Sequence, residues 1–189
     1  MSAGLILASS SPRRQELLRA ARIPFTSRSA DINEDLRPNE APREYTERLA
    51  LEKAKIIHQS TTGFFVLGAD TTVVVDEHIL AKPLDAVDAR RMLQLLSGRQ
   101  HQVLTSVCLL GPHTHDVRTE TTQVYFSEVT SAEIDWYIST GEPMDKAGAY
   151  GIQGIASRWI PRIEGCYFNV MGLPLSLVWR MLREAGFTA

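Results

Sequence analysis

Arg13, Arg14, Lys53 and Lys82 as cations, with Asp70 and Glu34 as carboxylates, are the side chains of this sequence that together could do chemistry. Alone, each has an ordinary structural use. As a set they suit polyphosphate chemistry: cations neutralise phosphate oxygens as charge develops, while carboxylates hold Mg²⁺ or Mn²⁺ and orient a water. An aspartate at its ordinary pKa of about 3.9 is a feeble base for water, so metal activation or burial must narrow the gap.

Two of the cations lie in LILASSSPRRQELL, residues 5–18. Leu5, Ile6 and Leu7 form an expected short buried strand, Ser11 can cap a helix, and Pro12 suits the first helical position. Arg13 and Arg14 then fall in the first turn, where the helix dipole is positive and an uncompensated cation costs about 0.3–1 kcal/mol. A bound phosphate reverses that sign. It would meet free backbone N–H groups, the hydroxyls of Ser9, Ser10 and Ser11, and two guanidinium forks. The alternative is a capped helix carrying two solvated arginines.

Other elements must bring in the remaining groups. A helix over 42–59 shows an inward stripe of Tyr45, Leu49, Ala50, Lys53, Ala54 and Ile57 at 3.6-residue spacing. Lys53 on that stripe could snorkel along the core edge or aim its ammonium into a shared polar site. The β-branched and aromatic run 64–76 predicts a strand buried on both faces. Within it Gly68 signals a bulge or a close backbone approach, and Asp70 must be paired, metal-bound or open to a cleft. A hairpin through Asp76-Glu77-His78 would return Lys82 towards Thr71 and Asp70.

The rest of the chain is expected to be scaffold. An alternating strand is predicted over 25–32, a helix from Asp85 to Gly98, and antiparallel strands over 101–110 and 119–126 joined around Gly111-Pro112. Thr130 and Glu133 make a capping box for a helix ending at Gly141. Residues 145–175 hold five glycines and suit close backbone approach to a ligand, with a strand expected over 157–163. A closing amphipathic helix runs from Pro174 to Gly186.

The composition bounds the remaining classes. The 189 residues, 44% hydrophobic, fit a single α/β domain, 1–189. A net charge of -2 gives no general reason to bind nucleic acid or a membrane, so any phosphate affinity is local. Two lone cysteines, Cys108 and Cys166, suggest neither a disulfide framework nor a zinc site and fit a reducing cytoplasm. The sequence has no GxxxxGKS/T loop, GxGxxG, GxSxG or HExxH. The histidines are scattered; His113 and His115 are the best-spaced pair for a metal and lie in an expected loop. Ser9–Ser11 have no obvious base, which argues against serine hydrolysis.

Taken in order, ASSSPRRQELL, GADTTVVVD followed by AKP, and KAGAYGIQG with a downstream GLPL resemble the Maf family of nucleoside triphosphate pyrophosphatases over the whole chain. The resemblance implies hydrolysis between the α and β phosphates with a divalent cation, Mg²⁺ or Mn²⁺, whose ligands it leaves unassigned. It implies a Maf/Ham1-like mixed α/β fold: an elongated twisted sheet flanked by helices, in two lobes with a central cleft. It also implies a cytoplasmic homodimer.

Position by position, Asp70 matches the proton acceptor for the attacking water. Arg13, Thr71 and Gln153 match positions of substrate choice, and Arg14, Glu34, Lys53 and Lys82 match polar cleft residues. Ser9 joins them as a substrate contact. The KAGAYGIQG form resembles the subgroup acting on dTTP and UTP, and the Gln153 amide, both donor and acceptor, suits the O4/N3–H edge of a pyrimidine. The alternatives are activity on 7-methyl-GTP or a broad range of nucleotides, and a nucleotide-sensing protein that regulates septum formation through a partner.

Overall fold

β1 (Leu5–Leu7) is a run of three apolar residues, all buried. It pairs in parallel with β2 (Thr26–Ser27) on one side and with β3 (Phe65–Val75) on the other. Between these strands lie α1 (Pro12–Ala20) and α2 (Pro42–His58). β4 (His78–Leu80) folds back on β3 with Val73 opposite Leu80 and Val75 opposite His78. Asp76 and Glu77 turn this hairpin with φ of 47° and 65°, the pair of positive values a type I′ turn requires. α3 (Ala86–Leu96), β5 (Gln100–Gly111), β6 (Thr114–Tyr125), α4 (Ser131–Ser139), β7 (Arg162–Glu164), α5 (Tyr167–Met171) and α6 (Leu175–Glu184) complete the order.

This is a computed structural model, and it describes residues 4–188. Among those residues the strands form a seven-stranded mixed sheet in the order β2-β1-β3-β5-β6-β7, with β4 attached to β3. None of the described helices is long and apolar enough to cross a membrane.

The chain divides into two compact units. The first comprises the chain up to Asp70, Thr105–Glu120 and the chain from Gly172; the second comprises Thr71–Leu104 and Thr121–Met171. In the first, Ile6, Ala8, Ala50, Ala54, Ile57, Val66, Cys108 and Leu110 pack as one apolar cluster. In the second, the core runs through Val73, Leu80, Met92, Leu96, Val124, Phe126, Ile134, Tyr137 and Trp159.

Several local expectations hold because short-range chemistry decides them. Asp85 caps α3 by accepting from the Asp88 N–H at 2.8 Å. Thr130 and Glu133 form the expected capping box on α4. Other expectations need correction. Ser11 occupies the N-cap position of α1, but its side chain makes no capping bond. The strand foreseen over 25–32 shrinks to Thr26–Ser27, because β1 offers a partner edge only three residues long. β6 begins at Thr114, well before 119, because the turn after Gly111 is confined to Pro112-His113. Residues 155–159 form a 3₁₀ turn that buries Trp159, and the strand is only Arg162–Glu164. Pro161 has no N–H for a ladder, so pairing starts after it.

Candidate active site

In the first unit, the site begins with how closely α2 lies on β3. A Cβ on Gly68 would come within 2.2 Å of the Ala50 carbonyl oxygen and 2.9 Å of the Ala54 nitrogen. Of the two uses foreseen for this glycine, close approach is the one realised. The helix backbone therefore rests on the strand two residues before Asp70. The inward stripe of α2 is buried as its spacing demands, Lys53 included at 8% exposure. Its Nζ donates to Asp70 Oδ1 at 2.7 Å and lies 2.6 Å from Glu34 Oε1. Lys53 thus aims its ammonium into a polar site.

Asp70 is 7% exposed. Burial pushes its carboxyl above the usual carboxylate range, against the opposing pull of Lys53 and Arg14. Arg14 approaches from the start of α1. Its Nε donates to the Gly172 carbonyl at 2.8 Å and its Nη1 to Ser9 Oγ at 3.3 Å. Ser9 Oγ also accepts from the Ser11 N–H at 3.2 Å, so the β1–α1 loop is braced by Ser9 where a Ser11 cap was expected. Burial lowers the Arg14 guanidinium from its ordinary value, Asp70 and Glu34 oppose that, and Arg13 adds to it. Arginine stays charged regardless. Arg13 and Arg14 lie in the first turn of α1, which holds no acidic residue, and Lys53 of α2 is a third cation beside the carboxylates Asp70 and Glu34. The first unit brings Ser9, Arg13, Arg14, Glu34, Lys53 and Asp70 together as one polar group.

Glu34 itself sits in an irregular, exposed segment. Two residues that the sequence does not single out for this purpose hold it. Tyr45 donates its hydroxyl to the Glu34 carbonyl at 2.9 Å, and Arg48 Nη2 donates to the Asp35 carbonyl at 3.0 Å. Tyr45 belongs to the apolar stripe, and nothing in that pattern tells where its hydroxyl ends.

The second unit holds Thr71, Lys82 and Gln153. Thr71 follows Asp70 directly on β3 and is half-buried. Lys82 is exposed two residues beyond β4, so the hairpin ladder stops short of pairing it with Thr71. The residue before it, Ala81, accepts from the Gly148 N–H at 3.1 Å, which docks the KAGAYGIQG segment at the end of the hairpin. Gly148 has φ of 67°, and a Cβ there would lie 2.9 Å from Val73. Gln153 is exposed in a turn closed by the Gly154 N–H donating to the Gly151 carbonyl at 3.1 Å.

Among the described residues no three His, Cys, Asp or Glu side chains cluster as a metal cage, and His113 and His115 are both exposed. Asp70 and Glu34, sharing one ammonium, are two oxygen donors of the kind Mg²⁺ uses when substrate phosphates and waters complete its shell. These two carboxylates are the residues of the first unit that could hold such an ion.

Known proteins resemble this chain in sequence along nearly its full length. A dTTP/UTP pyrophosphatase of Koribacter versatilis is 55% identical over 183 residues, covering 97% of this chain and 95% of that protein. Those of Symbiobacterium thermophilum and Geobacillus sp. are 51% and 47% identical, each over 97% of this chain and over 94% and 98% of theirs. The solved structure of the Staphylococcus aureus Ham1 protein superposes with a TM-score of 0.54 at 13% identity, covering 96% of this chain and 99% of that one. That likeness is one of fold. The family model described as Maf-like protein matches residues 4–185, and the chain belongs to the Maf family.

Proposed function

We propose that this protein hydrolyses dTTP and UTP to the nucleoside monophosphate and pyrophosphate. The observation that carries the reading is the buried Lys53–Asp70 pair at 2.7 Å with Arg14 acting on the same carboxylate. The dTTP/UTP pyrophosphatases that are about half identical in sequence support it. In this reading Arg13, Arg14, Ser9 and the α1 amides hold phosphate oxygens, as a helix N-terminus does. Asp70 accepts the proton of the attacking water, its raised pKa bringing it closer to the range of an effective base. Lys53 keeps that carboxylate oriented, and Lys82 offers a further phosphate contact. Thr71 and Gln153 serve substrate choice.

A divalent cation, Mg²⁺ or Mn²⁺, would be held by Asp70 and Glu34 together with the phosphates, and would supply charge neutralisation on the pyrophosphate leaving group. We place the protein in the cytoplasm as a homodimer; sedimentation of the purified chain at twice its 21.1 kDa mass checks the second point.

The test is a nucleotide panel of dTTP, UTP, dGTP and 7-methyl-GTP, assayed for pyrophosphate with and without Mg²⁺ or Mn²⁺. Metal-dependent release is expected with dTTP and UTP first. Asp70→Asn should lower turnover by roughly a hundredfold or more, the scale of a lost general base. Nucleotide binding without pyrophosphate release would identify a sensing protein and sink the hydrolase reading.

A further inference from the structure

The turn that presents Gln153 is gripped by an acid outside the KAGAYGIQG segment. Glu142 accepts the Ile155 N–H at 3.1 Å on Oε1 and 3.3 Å on Oε2. The hydroxyl of the fully buried Tyr137 donates to the same Oε1 at 3.0 Å. The carboxylate lies flush against the α-carbon of Gly154: a Cβ there would fall 2.1 Å from Oε1 and 2.7 Å from Cδ. On the other side of the turn, a Cβ on Gly151 would meet Lys146 Cε at 2.9 Å. Lys146 Nζ in turn donates to the Glu142 carbonyl at 2.6 Å. The glycines flanking Ile152 and Gln153 thus let the side chains of Lys146 and Glu142 lie directly against the turn backbone.

We propose that Glu142 is a positioning residue for base selection, its carboxylate fixing the Gly151–Gly154 turn so that the Gln153 amide meets the pyrimidine edge. The inference rests on the reading of Gln153 given above. An amide recognises O4 and N3–H of uracil or thymine only if its oxygen and nitrogen both point correctly, since a donor and an acceptor must register at once. Exposed at the tip of a short turn, Gln153 takes its direction from the backbone beneath it, and Glu142 bonds that backbone two residues on. Loss of this brace leaves the phosphate-binding groups of the first unit unaltered in sequence. The effect is therefore expected in discrimination between bases, through KM, with kcat for dTTP little changed.

The experiment measures kcat and KM for dTTP and dGTP in the parent, Glu142→Ala, Glu142→Gln, Gln153→Ala and the Glu142→Ala/Gln153→Ala double variant, with circular dichroism and Tm confirming folding. Glu142→Ala should reduce the dTTP:dGTP ratio of kcat/KM about tenfold, the scale of one hydrogen bond misplaced. Glu142→Gln, which keeps an acceptor for the Ile155 N–H, should restore most of it. In the Gln153→Ala background Glu142→Ala should change the ratio no further, because the two act in series. If Glu142→Ala does not fold, Tyr137→Phe, which removes only the hydroxyl donor, is judged by the same criteria. A reduced ratio in Gln153→Ala with an unchanged one in Glu142→Ala overturns the proposal, as does an additive loss in the double variant. An unchanged ratio in Gln153→Ala itself rejects the role of Gln153 and takes this proposal down with it.

Discussion

Lys53 holds two carboxylates on one ammonium while only 11% of its own side chain is exposed. A buried ion pair of this kind adds little net stability when intact, yet removing one partner strands a charge. Burial already raises the Asp70 carboxyl, and Lys53 is the largest of the groups opposing that rise. Lys53→Met should therefore raise it further, since losing a neighbouring cation disfavours the charged form. The acidic limb of the kcat/KM profile for dTTP should move to higher pH, and urea unfolding at neutral pH should show a loss of about 3 kcal/mol. A pH–rate profile at fixed metal concentration checks the first; an unmoved limb would show that Asp70 is not the titrating base. Arg13→Ala should raise KM for dTTP by roughly tenfold or more, the scale of a lost charge-assisted hydrogen bond, measured by steady-state kinetics. The candidate site residues stood out in the sequence where a residue type sits oddly in its pattern, as Asp70 does in an apolar strand. They were not legible where a distant backbone group completes the contact: Arg14 bonds the carbonyl of Gly172, 158 residues away. Glu142 likewise has no anomaly of its own, being one acid beside a proline.

At the scale of elements, the placement of Asp70 depends on α2 lying directly on β3, and that depends on Gly68. Gly68→Ala would drive a Cβ to 2.2 Å from a backbone oxygen, which no side-chain rotation can relieve. α2 must move, and Lys53 moves with it. We expect a loss of about 1–3 kcal/mol or more in urea unfolding, the usual cost of overpacking, together with a lower kcat than a comparably destabilising truncation of Leu96 in the core of the second unit. Equal kcat in the two variants would show that the α2–β3 contact serves stability alone. Elements set by local chemistry were the legible ones: the capped helices α3 and α4, and α2 with its stripe. The hairpin over β3 and β4 was legible in outline, though Asp-Glu is a less obvious I′ pair than Asn-Gly. β2 and β7 were not. β2 meets an edge of β1 only three residues long and β7 starts only after Pro161, neither of which alternation in the strand's own sequence records.

For the molecule as a whole, the motifs' order along the chain made the family legible from sequence, while the net charge of -2 offers no long-range field to explain stability or binding. One buried histidine contributes a sensitivity to acid of its own. His101 is 2% exposed, with rings of Phe126 and Tyr150 edge-on at centroid distances of 5.2 and 5.4 Å. Its Nε2 lies 2.7 Å from the Tyr150 hydroxyl, and its Nδ1 has no hydrogen-bond partner among the described residues. Burial drives its pKa from 6.5 to about 3. The unfolded chain therefore takes up a proton below pH 6.5 that the folded chain refuses until about pH 3. The folded state keeps this contribution in full above that upper value and loses it as pH falls, by about 1.4 kcal/mol for each unit. Glu40, held down to about 2 by its hydrogen bond to Arg48, acts in the same direction but only below its ordinary 4.5, so a comparison of pH 7.5 with pH 5 isolates the histidine from it. Between those two conditions the parent should lose about 2 kcal/mol more in urea unfolding than His101→Gln. An equal loss in both proteins would mean that His101 is protonated in the folded state and that the acid sensitivity lies in the carboxylates.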